Sequence, residues 1–384
     1  MSIGASDKTV PTLFVGLMSG TSIDSIDAAM VECTPNSTTI IATREHPISD
    51  STRSRIASLS RHGDDEIENM GRLDRELGKL FAEATLELLR ANNTPASAIT
   101  AIGSHGQTIR HRPPSAAKSG EECFTLQIGD PNTIAECTGI TTVADFRRRD
   151  VAAGGEGAPL APAFHRAAFA SAGANRAIVN IGGIANASIL QGEELTMGFD
   201  SGPGNTLLDQ WILQNQGTRY DAGGDWAAEG EVSAELLESM LSHPFLSQRG
   251  PRSTGKEAFN LDWLNGCQSS APSINAQNTQ ATLAEFTAQS IVTGLEACGI
   301  ALDEVYICGG GAHNTDLMRR LYRLLNPIKL ETTEAIGMDP DWVEAAAFAW
   351  LAQQSLNSLV GNAPVVTGAS GPRVLGGIFP GKID

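Results

Sequence analysis

The chain has 384 residues, 27 basic and 44 acidic side chains, and a formal net charge of −17. With 41% hydrophobic and 18% charged residues it can build substantial cores, which excludes general disorder, and its length suggests two domains. The acidity argues against nonspecific nucleic-acid binding and against binding to anionic membranes, since both need basic faces; ATP remains accessible through backbone donors, a few cations and a metal.

The segment from Met1 to Thr12 is polar and lacks a basic start, so no signal peptide is expected. No run of about 18 apolar residues reads as a membrane span. Cys33, Cys123, Cys137, Cys267, Cys298 and Cys308 lack CxxC or Cys/His spacing and read as free thiols in a reducing cytoplasm, not as a zinc site.

Leu13–Met18 is a short apolar strand running into Ser19-Gly20-Thr21-Ser22, followed by apolar segments 26–31 and 38–42. Short strands joined by polar turns predict an antiparallel meander. From Asp64 to Ala91, Ile67, Met70, Leu73, Leu77, Leu80, Phe81, Ala84 and Leu88 recur at three- and four-residue steps, which predicts a helix. Strands follow over 99–102, 124–128 and 140–144, with a short helix near 132–137. The loop Gly154–Pro159 opens an Ala-rich helix over 160–172.

A second meander starts at 177–181, ends at Gly182-Gly183 and resumes at 187–190. Helices are expected over 206–214, 234–241, 279–297, 313–325 and 342–355, with strands over 305–308 and 328–331. Each half thus opens with a meander, passes into helices and returns to a strand ending in glycine. This alternation predicts an α/β protein of two similar lobes.

Met18–Asp24 sets a glycine, three hydroxyls and a carboxylate at the tip of a strand pair. Backbone N–H groups there can cradle phosphate and Asp24 can hold hydrated Mg²⁺, although the same residues also make a plain hairpin turn. Gly182-Gly183 repeats the design. Gly309-Gly310-Gly311 makes a third Gly-rich strand end, opening a helix with Asn314 near its start, where an anion or a nucleotide's polar edge is suited. Neither a Walker nor a Rossmann fingerprint occurs at these positions. Three such ends spread over both halves suggest a nucleotide clamped between lobes.

Asp200 lies in Gly198-Phe199-Asp200-Ser201-Gly202-Pro203-Gly204-Asn205, read as a stiff turn before a helix. It is either a capping or Asx-turn residue or a general base in a cleft. Asp145–Asp150 holds the only dense basic cluster, which is either a solvated salt-bridge network or an arginine site for carboxylate or phosphate. His105 and His165 read as hydrogen-bonded structural histidines ahead of metal ligands.

These residues resemble the anhydro-N-acetylmuramic acid kinase family. The likeness rests on Gly16–Asp24, Gly103–Thr108, Asp145–Arg149, Gly154–Leu160, Asn180–Gly183, Asp200–Asn205, Ser253–Gly255 with Phe259-Asn260, Cys308–Gly311 and Val366–Ala369, and spans about residues 13 to 380. The resemblance implies two ribonuclease H-like lobes of the actin, sugar-kinase and heat-shock-chaperone ATPase superfamily, with ATP and sugar in an interlobe cleft. It implies a kinase that adds water across the 1,6-anhydro bond of the sugar and phosphorylates O6, giving N-acetylmuramic acid 6-phosphate and ADP.

By the same resemblance Asp200 is the catalytic aspartate. Gly20, Thr21, Ser22, Ile23, Asp24, Ser25, Ile26 and Asp27 bind ATP phosphates, with Asp24 on Mg²⁺. The other Gly-rich ends, Gly182, Gly183, Gly309, Gly310 and Gly311 with Asn314, complete the nucleotide site. His105, Gln107, Asp145, Arg147 and Arg149 face the sugar. Two departures stand out: the family usually has glycine at Ser25, which then requires a negative φ, and glutamine at Glu156, whose charge would repel the lactyl carboxylate if it faced it.

A cytoplasmic homodimer is the expected assembly. The first lobe is expected over 1–147 with 361–384 and the second over 148–360. Rival readings are a kinase for another anhydrosugar such as levoglucosan, and a noncatalytic actin- or chaperone-like ATP-binding protein.

Overall fold

The computed structural model describes residues 11–20, 23–34, 37–117, 120–248, 250, 252, 254–255, 257–270 and 272–382. Thr21, Ser22 and Ser253 lie outside the described residues. In chain order the first elements are β1 (Thr12–Met18), β2 (Ser25–Cys33), β3 (Thr38–Pro47), α1 (Asp50–Leu59), α2 (Glu66–Ala91) and β4 (Ile99–Ser104). Next come β5 (Gln107–Arg112), β6 (Phe124–Ile128), α3 (Pro131–Thr138), β7 (Thr142–Ala144), α4 (Arg148–Ala152) and α5 (Ala161–Phe169). The second meander is β8 (Asn175–Ile181), β9 (Ile184–Gln191) and β10 (Glu194–Pro203). It leads to α6 (Thr206–Gln216), α7 (Asp225–Ala228), α8 (Ala234–Leu241), α9 (Leu261–Ser269) and α10 (Ala276–Ala297). The chain continues with β11 (Glu304–Cys308), α11 (Thr315–Leu325) and β12 (Lys329–Thr332), and ends with α12 (Val343–Leu356), α13 (Pro364–Thr367) and β13 (Gly377–Phe379).

Two compact units result, 1–168 with 342–384, and 169–341. In the first, the sheet order is β13-β7-β4-β1-β2-β3, with β1, β2 and β3 antiparallel and β4 parallel to β1. In the second it is β10-β9-β8-β11-β12, again an antiparallel meander with β11 parallel to β8. Numbered within each unit, leaving aside the β5–β6 hairpin, the central order is third-second-first-fourth-fifth in both. This is the ribonuclease H-like arrangement, and it is the duplication expected from the two meanders.

The periodic face of α2 does pack inward: Leu73, Leu77, Phe81, Ala84 and Leu88 are buried against Val15, Leu17, Ile26 and Ala28. Ile67, in the same periodic series, is 84% exposed because it sits on the first turn, beyond the sheet. The second unit has one core between α10, α11 and its sheet and another among α6, α8, α9 and α10.

The unit boundaries fall at 168 and 342, not at 147 and 361. The reason lies in α12, an Ala-rich helix whose backbone lies directly on β1 and β4. A Cβ on Gly16 would overlap the Ala345 carbonyl and one on Gly103 the Phe348 carbonyl, so two glycines in adjacent strands make room for the helix.

Residues 194–203 form a strand where turn chemistry is prominent. Gly198, Gly202 and Pro203 are accommodated because β10 is an edge strand with a register shift between Asp200 and Gly202.

Candidate active site

The β1–β2 turn is held by one internal hydrogen bond and by Arg53. The Ile23 N–H donates to the Gly20 carbonyl at 3.3 Å, and Arg53 Nε donates to the Ile23 carbonyl at 3.1 Å. Arg53 also pairs with Asp24 at 3.2 Å. Ile23 has φ 58°, a left-handed conformation that a β-branched residue adopts only under constraint. The strain therefore sits at Ile23, while Ser25 begins β2 and hydrogen-bonds Asp27 through its hydroxyl at 3.1 Å. Ile26 is buried, whereas the Asp24 side chain is about half exposed. Among the described residues a Cβ on Gly20 would touch nothing within 4 Å, so the space over the turn is open. Arg53 carries no motif signal; its approach depends on α1 folding beside the turn.

A second cluster in the same unit gathers residues just past the ends of β1, β4 and β7 and at the start of β5. Ser19 Oγ donates to Gln107 Oε1 at 2.8 Å, joining the turn to β5. His105, 5% exposed, packs its ring on Phe348 with centroids 4.8 Å apart. Its Nε2 accepts from Arg147 Nε at 2.9 Å, and Arg147 Nη1 donates to the Gly157 carbonyl at 2.8 Å. Burial, then the neighbouring Arg147 cation, pushes His105 well below the ordinary histidine range. Burial pushes the Arg147 guanidinium down to about 10, opposed by Glu344 and Asp150. Asp145 has φ 60°, and burial raises its pKa against the influence of Arg148, which approaches at 3.4 Å. Arg148 and Arg149 are exposed on α4. The basic cluster thus divides into one half-buried arginine, fixed by two hydrogen bonds, and two on the surface.

The loop 154–159 is organised by Asp150, which is fully buried. Its carboxylate accepts from Gly157 N at 2.9 Å, Asn362 Nδ2 at 2.8 Å and Thr367 Oγ1 at 2.9 Å. Glu156, by contrast, turns its carboxylate to Ser115, accepting from the backbone N at 3.2 Å and from Oγ at 2.5 Å.

In the second unit the Gly-rich ends converge. Gly204 N donates to the Gly183 carbonyl at 2.9 Å and Asn205 N to the Gly182 carbonyl at 2.8 Å, tying the start of α6 to the β8–β9 turn. A Cβ on Gly309 would overlap Asn180 Oδ1 and one on Gly311 the Ile181 side chain, while Gly310 has nothing nearer than 3.9 Å. Two of these glycines therefore allow β11 to pack on β8, and Gly310 borders open space. Asn314 caps α11, its Oδ1 accepting from Leu317 N at 2.9 Å.

Asp200 is 8% exposed and lies within β10. It is not a helix cap, since Asn205 occupies the cap position of α6. Its N–H donates to the Arg252 carbonyl at 2.9 Å, Arg252 Nε donates to its carbonyl at 2.9 Å, and its Oδ2 accepts from Thr254 N at 2.9 Å. Thr254 belongs to the 253–255 motif, but Arg252 carries no sequence signal because nothing local links it to a residue 52 positions away.

Among the described residues no cluster of three or more His, Cys, Asp or Glu could hold a metal ion. A hard divalent cation bound mainly by phosphate and water, as Mg²⁺ usually is, asks for only one or two carboxylates, and Asp24, half exposed while paired with Arg53, fits that demand.

The family model for anhydro-N-acetylmuramic acid kinase matches residues 12–381. Curated relatives with that name include one from Saccharophagus degradans, 49% identical over 96% of this chain and 99% of its own. Another, from Pseudomonas fluorescens, is 48% identical over 96% of this chain and 99% of its own. Among solved structures, a ROK family glucokinase from Streptomyces griseus in complex with glucose and AMPPNP is 12% identical, covering 89% of this chain and 99% of that one, with a TM-score of 0.39.

Proposed function

The chain belongs to the anhydro-N-acetylmuramic acid kinase family, and from that premise we propose how its residues divide the reaction. It is an ATP-dependent kinase that hydrolytically opens the 1,6-anhydro ring of anhydro-N-acetylmuramic acid and phosphorylates O6, in peptidoglycan recycling. One sugar, one water and one ATP give N-acetylmuramic acid 6-phosphate and ADP.

Asp200 accepts the proton of the water that attacks C1. As the C1–O6 bond breaks, its electron pair passes to O6, which attacks the γ-phosphorus in line while the bond to the β-phosphate oxygen breaks. A positioned base contributes typically about 10²–10⁴-fold. The observation that carries this role is the anchoring of the Asp200 carboxylate: Thr254 N holds one oxygen and Arg252 fixes its backbone on both sides.

The turn from Gly20 to Asp24, including Thr21 and Ser22, binds the phosphates through backbone N–H groups, and Ser25, Ile26 and Asp27 support it as the start of β2. Gly182, Gly183, Gly310 and Asn314 serve the nucleotide, with Gly309 and Gly311 packing beneath them. Asp24 would hold Mg²⁺, which supplies neutralisation of the phosphate charge when bound. Arg147 presents its cation toward the lactyl carboxylate while His105, Gln107 and Asp145 fix the sugar; Arg149, being exposed, contributes at most from the rim. The Glu156 carboxylate turns to Ser115, and this supports an acidic sugar to the extent that the charge is directed at Ser115 and not at the lactyl group.

The enzyme works in the cytoplasm, where its phosphate donor is made, and as a homodimer; light scattering of the purified chain tests the second point. The reaction itself is tested by turnover in ¹⁸O-labelled water. Label at C1 of the product supports ring opening by water, and unlabelled product refutes it. ADP release should follow anhydro-N-acetylmuramic acid and fall away with levoglucosan, N-acetylglucosamine and free N-acetylmuramic acid.

A further inference from the structure

Strand β10 is the outer strand of its sheet, and its register on β9 slips just where the catalytic carboxylate stands: Asp200 faces Asn186, then Gly202 faces Ala185. An edge strand with a bulge is the least rigid place to mount a base. Arg252 takes the position that a further strand would occupy. Its carbonyl accepts from Asp200 N at 2.9 Å, and its own Nε donates to the Asp200 carbonyl at 2.9 Å, closing a ring of two hydrogen bonds. Two residues on, Thr254 N donates to Asp200 Oδ2 at 2.9 Å.

Arg252 is in turn held firmly. Its Nη1 donates to the carbonyls of Leu246, at 3.4 Å, and Gln248. The guanidinium carbon stands 5.0 Å from the Phe245 ring centre and 5.5 Å from that of Phe199, the neighbour of Asp200. Gly294 on α10 makes room for the Phe199 ring that Arg252 covers, since a Cβ there would approach that ring to 2.9 Å. Burial lowers the guanidinium pKa, opposed by Cys298 and Asp200.

We propose that Arg252 is the positioning residue for Asp200: it completes the open edge of β10 and thereby sets the direction in which the carboxylate points. The inference rests on the reading of Asp200 as general base. A planar Nε–H beside a carbonyl is needed for the ring of bonds, so a cation alone does not replace it. Misplacement of a reacting group by about 1 Å can cost about 10²-fold.

The test compares Arg252→Met, which keeps an unbranched side chain between the two phenylalanines, with Arg252→Lys, Arg252→Ala and Asp200→Asn, each assayed for kcat and for the KM of ATP and of anhydro-N-acetylmuramic acid. Arg252→Met and Arg252→Lys should lose roughly 10–100-fold in kcat while both KM values stay within about two-fold. Guanidinium chloride at millimolar levels should restore part of the kcat of Arg252→Ala, and equal sodium chloride should not. Arg252→Met, or Arg252→Lys if the former does not fold, with near-normal kcat overturns the proposal. So does a loss shared by kcat and both KM values without guanidinium rescue, which marks a residue needed only for folding. If Asp200→Asn is inactive while Arg252→Met is active, only the positioning role fails; an active Asp200→Asn removes the base reading and this inference with it.

Discussion

Arg147 donates from Nε to His105 Nε2 across 2.9 Å. That bond requires an unprotonated Nε2, and burial beside a guanidinium keeps it so. The pair is therefore a neutral imidazole steering a cation, with the Gly157 carbonyl fixing the other arm of the fork. An arginine held in this way has lost most of its rotamer freedom before any substrate arrives, which favours recognition of one carboxylate in one place.

Arg147→Ala should consequently discriminate between sugars. Loss of a charge-assisted bond to the lactyl group costs about 1.5–3 kcal/mol, roughly 10–150-fold in kcat/KM on anhydro-N-acetylmuramic acid. Levoglucosan, without that group, should be much less affected, and Arg149→Ala should leave both sugars near normal. Steady-state kinetics of the two variants on the two sugars decide the matter; equal losses for Arg147→Ala on both would give it a purely structural role.

Asp24→Ala should raise the KM for Mg·ATP more than that for the sugar. Arg53→Met should reproduce part of that defect, because Arg53 holds both the Ile23 carbonyl and the Asp24 carboxylate. Titrations of ATP, Mg²⁺ and sugar against each variant provide the check. A selective rise in the sugar KM would contradict the phosphate assignment.

Asp200→Asn should leave binding of ATP and sugar intact and reduce turnover by at least about 10²-fold. The amide retains an acceptor for Thr254 N, so the fold should persist, and thermal unfolding beside the kinetics separates chemistry from stability. A stable variant with full activity would remove the base from the mechanism.

Acid should destabilise the first unit in a defined window. His165 is held at about 3 by burial, and His111 at about 4, first by burial and then by Arg147 and Arg112. Both lie below the ordinary histidine value, so unfolding takes up protons once the pH falls under about 6.5. Their contribution to stability is complete above that value and is lost as the pH falls toward 4 and 3. For His165, which is fully buried, the loss approaches about 1.4 kcal/mol per pH unit. Asp74 and Asp145, raised by burial, act in the opposite sense. Urea midpoints between pH 7 and 5 should fall, and the slope should be shallower in His165→Gln; an unchanged slope would count against the assignment.

Much of this was legible in the chain. The period of α2 identified Leu73, Leu77, Phe81, Ala84 and Leu88, since a long helix with one buried face writes itself into sequence. The strand 124–128 and the helix 234–241 were recoverable for the same local reason. The Gly-rich stretch through Asp200 was not, because Gly198, Gly202 and Pro203 carry turn propensity, while pairing with β9, and at Asp200 with Arg252, holds the stretch extended. Strand β5, Gln107–Arg112, was hidden by its charges, being one arm of a two-stranded sheet with half-exposed positions. Arg53, Ser115 and Arg252 share one difficulty: each finds its partner dozens of residues away, so spacing alone carries no trace of the bond.

The unit that carries the β1–β2 turn is interrupted by the whole of the other one, and this orders the birth of the protein. During synthesis residues 169–341 emerge as an unbroken stretch with a sheet and two cores of their own. The earlier unit must wait. Its strands β1 and β4 have no α12 to cover Gly16 and Gly103, β7 has no β13 beside it, and Asp150 lacks Asn362 and Thr367. The first unit is therefore complete only once residues 342–384, which carry α12, α13 and β13, have joined the strands that precede the second unit.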